Sequence, residues 1–238
     1  MKKFLAIAGL IILTGAAVAY AMGETAGNKS YSWRYKMTVT VETPEGLKSG
    51  SAVRQIDIKI EPRPGYRPHP YYASHKMKGE AVVVDLGKRG LLFAITSSDS
   101  YPEVTDTFKG PSLFTIEGGE YYSKLKGVKA PVLPKDMPWM VHFTDLNNPL
   151  TVEIVKGNVF DIKQQKGVPV DDFERVFGEG VKLHSVTVEM TDEPVTWGIE
   201  QVLPWLSELK GGYLDGGFTS RNAPYGLYGG NFTMGEKQ

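Results

Sequence analysis

From Tyr31 to Glu42 the chain alternates without a fault. Tyr31, Trp33, Tyr35, Met37, Val39 and Val41 fall on one side, and Ser32, Arg34, Lys36, Thr38, Thr40 and Glu42 on the other. Twelve residues of period 2 exclude a helix and require a long strand with one apolar and one wet face. Thr43-Pro44-Glu45-Gly46 is a turn cluster, and beyond it Ile56, Ile58 and Ile60 alternate with Asp57, Lys59 and Glu61. The two runs predict an antiparallel hairpin. A second hairpin is expected from Glu80 to Leu86 and Leu91 to Thr96, joined by Gly87-Lys88-Arg89-Gly90, whose glycines can take positive φ. Leu113 to Ile116, Trp139 to Phe143, Thr151 to Val155 and Val181 to Thr191 read as further strands. Pro62 to Lys78 reads as an irregular connection, longer than most inside a compact domain.

Two short helices interrupt this pattern. Asp171 and Glu174 have capping-box spacing, Phe173, Val176 and Phe177 supply an apolar stripe, and Gly178 can end the helix. The second carries Ile199, Val202, Leu203, Leu206 and Leu209 on one face, with Pro204 expected to kink or split it. From Gly211 onward glycines and aromatics dominate, and the segment reads as an irregular tail, either draped over the domain by its tyrosines or unordered. The expected fold is therefore mainly β, an antiparallel sheet or sandwich-like domain over 31–210 with two short helices, followed by the tail 211–238.

The N-terminus supplies an address. Lys2 and Lys3 precede an uncharged stretch from Phe4 to Met22, and Ala19-Tyr20-Ala21 fits a signal-peptidase site. Residues 1–21 read as a signal peptide, with an uncleaved anchor as the alternative, and 22–30 as a short linker. Both readings place the domain outside the cytoplasm: periplasmic or secreted, or tethered to the inner membrane facing the periplasm. No other segment is apolar enough to span a bilayer, so membrane contact is expected only through an uncleaved N-terminus. The chain holds no cysteine, which removes thiolate chemistry of every kind.

With 27 Lys+Arg against 27 Asp+Glu, the net charge of zero argues against general nucleic-acid binding. The balance is uneven, however: 12 basic against 5 acidic residues up to Lys78, and 15 against 22 beyond it. Within the basic part, Pro62 to Lys78 has no acid. Its Arg63, Arg67, His69, Tyr71, Tyr72, His75 and Lys76 are the candidate contact residues for an anionic surface or an envelope partner protein. The spacing of His69 and His75 permits joint metal coordination, but no third ligand lies near, so neither metal nor cofactor is expected.

Signatures of catalysis are missing. Gly110-Pro111-Ser112-Leu113-Phe114 lacks the second glycine of a nucleophile elbow, and the sequence contains no metalloprotease, Walker or dinucleotide motif. Ser97-Ser98-Asp99-Ser100 and carboxylates such as Asp145, Asp171, Asp172, Glu174, Asp192 and Glu193 read as turn and cap residues. An acid pair separated in sequence would not be visible in this way, which keeps an envelope hydrolase with a carboxylate or Ser/His site as the alternative function. His142 is expected to be solvated, and Trp33, Trp139, Trp197 and Trp205 to fill the core.

Several blocks resemble a group of uncharacterised exported proteins of proteobacteria. They are Trp33 to Gly46, Gly50-Ser51-Ala52-Val53-Arg54, Gly79 to Gly87, Phe143-Thr144-Asp145-Leu146-Asn147, Val176 to Val181, and Ile199 to Leu206. The resemblance implies export and a β-rich fold, and transfers no site. The expected function is that of an exported, non-catalytic cell-envelope binding or accessory protein.

Overall fold

A computed structural model describes residues 27–63, 71–97, 101–161, 165–209, 211–217 and 224–235. The fold is mostly antiparallel β, arranged as two sheets. The alternating run forms β1 (Lys29–Thr43), which pairs along its length with β2 (Gly46–Pro62) through the expected turn. β3 (Tyr71–Glu80) lies on the other side of β2, with Ile58 opposite His75 and Ile60 opposite Ala73. The segment 62–78 is thus corrected: from Tyr71 onward it is a strand paired with β2. The run lacks apolar alternation because its inward parity is held by Tyr71, Ala73, His75 and Met77, of which only Met77 is buried.

The remaining strands are β4 (Val82–Asp85), β5 (Leu91–Ala94), β6 (Lys129–Pro131), β7 (Met140–Phe143), β8 (Val152–Asp161), β9 (Lys166–Asp171), β10 (Lys182–Thr191) and β11 (Thr233–Met234). One sheet has the order β11-β3-β2-β1-β10-β6, the other β4-β5-β7-β8-β9. The apolar faces of β1, β2 and β10 meet the five-stranded sheet through Val82, Val84, Leu92, Ala94, Met140 and Val155. The opposite face of that smaller sheet, Phe93, Ile95, Val141, Phe143 and Ile154, is covered by Ile199, Leu203, Trp205, Leu206, Leu214, Leu227 and Phe232. β5 and β7 are therefore buried on both faces, which explains why they read as short continuous apolar runs. The described tail is draped, but its aliphatic residues and Phe232 anchor it more than its tyrosines do.

The helices depart further from expectation. Leu113 to Ile116 is not a strand: Thr115 caps α2 (Ile116–Lys124) by accepting from the Gly118 N–H at 3.1 Å. α1 (Pro102–Phe108) begins on its proline and ends at Lys109 with φ 53°. Both escaped sequence reading because they are short and α2 carries two glycines, which weaken helix propensity. α3 (Phe173–Phe177) exists, but the capping box does not: Asp171 ends β9, Asp172 makes no side-chain cap bond, and Glu174 accepts from the Gly180 N–H at 3.1 Å. Pro204 divides the last apolar stripe into a single turn, Ile199–Gln201, and α4 (Leu206–Leu209).

The β4–β5 turn is clamped to the rest by Arg89. Its Nε and Nη2 donate to Glu45 at 3.1 and 2.9 Å, and its Nη1 donates to the Phe177 carbonyl at 2.6 Å. The Arg89 hydrogen bonds hold the Glu45 carboxyl down at about 2, from an ordinary 4.5. A folded-state value below the unfolded one stabilises the fold above the ordinary carboxylate range, and that contribution is lost as pH falls through about 2. A carboxyl-detected NMR titration is expected to place Glu45 near 2 and to return it to the ordinary range in Arg89→Gln; an ordinary midpoint in the parent protein refutes the clamp.

Candidate functional site

The residues singled out between Pro62 and Lys78 are divided by the strand they belong to. Tyr71 and His75 share the inward parity of β3, whereas Tyr72 and Lys76 point outward. His75 packs edge-on against Tyr101 and Phe114, with ring centroids 5.3 and 5.6 Å away. Tyr71, Tyr72, Lys76 and Arg63 are exposed, while Arg67 and His69 lie outside the described residues. Period 2 thus places Tyr71 and His75 on one side of β3 and Tyr72 and Lys76 on the other, with both tyrosines exposed at the strand's start. His142 is not solvated either. It is half-buried, with Nδ1 2.9 Å from the Leu91 carbonyl and its ring against Phe177.

A cleft of about 440 Å³ lies elsewhere, where four separate stretches converge. The end of β5 contributes Ile95, Thr96 and Ser97, and the start of α1 contributes Pro102 and Glu103. The stretch before β7 brings Lys135 to Trp139, and the C-terminal cover brings Tyr225 to Tyr228 and Asn231. Backbone bonds fix these walls to one another: the Ile95 N–H donates to the Trp139 carbonyl at 2.9 Å, and the Thr96 N–H to the Asn231 carbonyl at 2.8 Å. Asn231 locks the cover from its side chain, with Nδ2 donating to the Thr96 carbonyl and Oδ1 accepting from the Tyr228 N–H. The volume is in the range of small-molecule sites.

The charged groups of the cleft are matched within the protein. Glu103 is buried, and its Oε2 accepts from Arg54 Nη1 at 3.1 Å and from the Tyr35 hydroxyl at 3.2 Å. Burial, followed by the neighbouring Glu103 charge, pushes the Tyr35 hydroxyl pKa upward, so it remains a donor. Lys135 bridges Asp106 and Asp136. Its hydrogen bonds raise its own pKa and lower that of Asp106. The buried Oδ2 of Asp136 lies 3.1 Å from Lys135 Nζ and has no hydrogen-bond partner among the described residues, so that charge alone holds it.

Aromatic surface is what remains. Trp139 and Tyr228 are partly buried, and Tyr225 is 48% exposed at the rim. Tyr225 has φ 56°, a left-handed conformation that costs a non-glycine residue about 1–2 kcal/mol. Backbone strain of this kind gathers where a side chain is presented for use. Trp139 thus departs from the expected core role, as does the half-buried Trp197, whereas Trp33 and Trp205 are buried.

Sequence reasoning missed this cleft because its walls come from four separate stretches spread between Ile95 and Asn231. The one legible signal was Arg54, which the alternation of Ile56, Ile58 and Ile60 places on the inward face. Among the described residues, no group of three His, Cys, Asp or Glu is placed to hold a metal, and no helix is long and apolar enough to cross a membrane. Comparison with protein-family models, with curated proteins and with solved structures finds no match.

Proposed function

We propose that the chain is an exported, non-catalytic binding or accessory protein of the cell envelope whose ligand occupies the cleft between residues 135–139 and the C-terminal cover. The carrying observation is aromatic surface around a ligand-sized cavity whose charges are already matched. The leader-like residues 1–21 support the address. A hydrolase would need a carboxylate able to give or take a proton in the cleft. The engagement of Glu103 with Arg54 and Tyr35, and of Asp136 with Lys135, favours binding instead. Contact with an anionic surface has weaker support, since it is left with the exposed Tyr71, Tyr72 and Lys76 beside Arg63.

The test is thermal unfolding of the purified protein against soluble sugars, amino acids, short peptides, polyamines and inorganic anions. A ligand at a hundred times its Kd adds about 2.7 kcal/mol and raises the Tm by several degrees. That shift is expected to vanish in Trp139→Ala and in Tyr225→Gly, the second of which suits the φ of its site and keeps the fold. A panel without any stabilising member, or variants that respond like the parent, would overturn the reading. Release of a cleavage product from a stabilising ligand would hand the cleft to the hydrolase reading.

A further inference from the structure

A second cavity, of about 380 Å³, opens on the other side of Trp139. It is walled by β8 and β9 at Lys156 to Asn158 and Pro169 to Asp171, and it shares Lys135, Met137, Pro138 and Trp139 with the first. The indole is therefore a ridge common to two adjoining cavities. Its seat is built: continuing the β7–β8 register from Met140 opposite Lys156 sets Trp139 opposite Gly157. A Cβ at Gly157 would come within 3.1 to 3.3 Å of the indole ring. The ring lies on bare backbone because that strand position carries no side chain, and an irregularity in the pairing beside it, between Met140 and Val141, re-aims the strand at this point.

The second cavity repeats the chemistry of the first. Lys156 pairs with Asp171, just as Lys135 pairs with Asp106 and Asp136. The described walls of the two cavities thus hold no lysine or arginine that lacks an acidic partner, and an anionic ligand would find no surplus cation. What is presented is indole and phenol surface beside amide, hydroxyl and backbone groups. Apolar C–H faces carrying neutral hydroxyls match such a surface. We infer that the two cavities form one site for a linear, uncharged oligosaccharide, which crosses the Trp139 ridge and places sugar units on both sides of it.

This inference rests on the cleft reading above and is tested separately from it. The probes are mono- to tetrasaccharides of β-1,4-linked glucose, β-1,4-linked N-acetylglucosamine and α-1,4-linked glucose, added to the purified protein and followed by tryptophan emission and calorimetry. In at least one series the tetrasaccharide is expected to bind tenfold or more tighter than the monosaccharide. Trp139→Ala is expected to weaken the tetrasaccharide by tenfold or more, and Gly157→Ala, which lifts the ring, to remove most of the gain with length. Circular dichroism and Tm check that each variant is folded, and should Gly157→Ala not fold, Asn158→Ala on the far side takes its place. Equal affinity for short and long sugars overturns the two-cavity site and leaves the cleft reading standing. Binding of anions or peptides but of no sugar overturns the ligand class alone, and the absence of any ligand overturns both.

Discussion

Replacing Arg54 by methionine is expected to lower stability by about 3–5 kcal/mol, the range for breaking a buried ion pair from one side. The guanidinium is fully buried between the sheets and holds three elements at once. Nε donates to the Glu80 carbonyl at 3.0 Å, Nη2 to the Ala94 carbonyl at 3.2 Å, and Nη1 to Glu103 at 3.1 Å. β3, β5 and α1 thus converge on one side chain projecting from β2. Methionine fills the space but supplies no donors, so a buried carboxylate loses its opposite charge and two carbonyls lose the guanidinium's hydrogen bonds. For a domain with a total stability of about 5–15 kcal/mol, that loss is a large fraction. Adding Glu103→Gln removes the stranded charge while keeping an acceptor for Tyr35, and is expected to recover more than about 1 kcal/mol in a double-mutant cycle. Urea denaturation of the four proteins measures this directly. A single-variant loss under about 1 kcal/mol would mean that Arg54 is not the hub described.

Gly50→Ala is expected to cost at least about 3 kcal/mol, through overpacking against atoms that cannot yield. A Cβ at Gly50 would lie 1.9 Å from the Val83 carbonyl oxygen and 2.7 Å from its carbon. Both are backbone atoms of β4, so relief requires the two sheets to separate where β2 and β4 cross. Gly46→Ala serves as the control: φ is 111° with nothing within 4 Å, so that substitution pays conformational strain alone, about 1–2 kcal/mol. A Tm fall for Gly50→Ala no greater than that for Gly46→Ala would sink the argument for close sheet contact.

Legibility from sequence followed burial. β1 and β2 have one wet face, so alternation announced β1 almost to the residue and the second half of β2, whose first ten residues, from Gly46 to Gln55, it did not reach. β3 was hidden because its inward residues are Ala73, His75 and Met77, and its outward ones Tyr72, Ser74 and Lys76, a mixture without contrast. β5 and β7 are buried on both sides and gave apolar runs without a period. α1 and α2 owe their existence to packing on the sheet: a Cβ on Gly119 would come 2.2 Å from the Tyr31 ring. A glycine that weakens an isolated helix is what lets this one reach β1.

The candidate site was less legible than the fold. The basic run 62–78 stood out because charge is visible locally, yet strand parity assigned those of its residues that lie in β3 to two faces. The cleft stayed hidden because Glu103, Trp139 and Tyr225 are neighbours only in space. The sequence by itself determined the antiparallel β class, the first two hairpins and an interruption at Pro204, since each is signalled by residues close together in the chain, and its composition removed thiol chemistry. The tertiary structure alone decided that the described part of the glycine-rich tail covers the second sheet, that Arg54 joins three elements, and that four separate stretches enclose one cavity. Local periodicity records which face of an element is wet, and it carries no information about what meets the dry one.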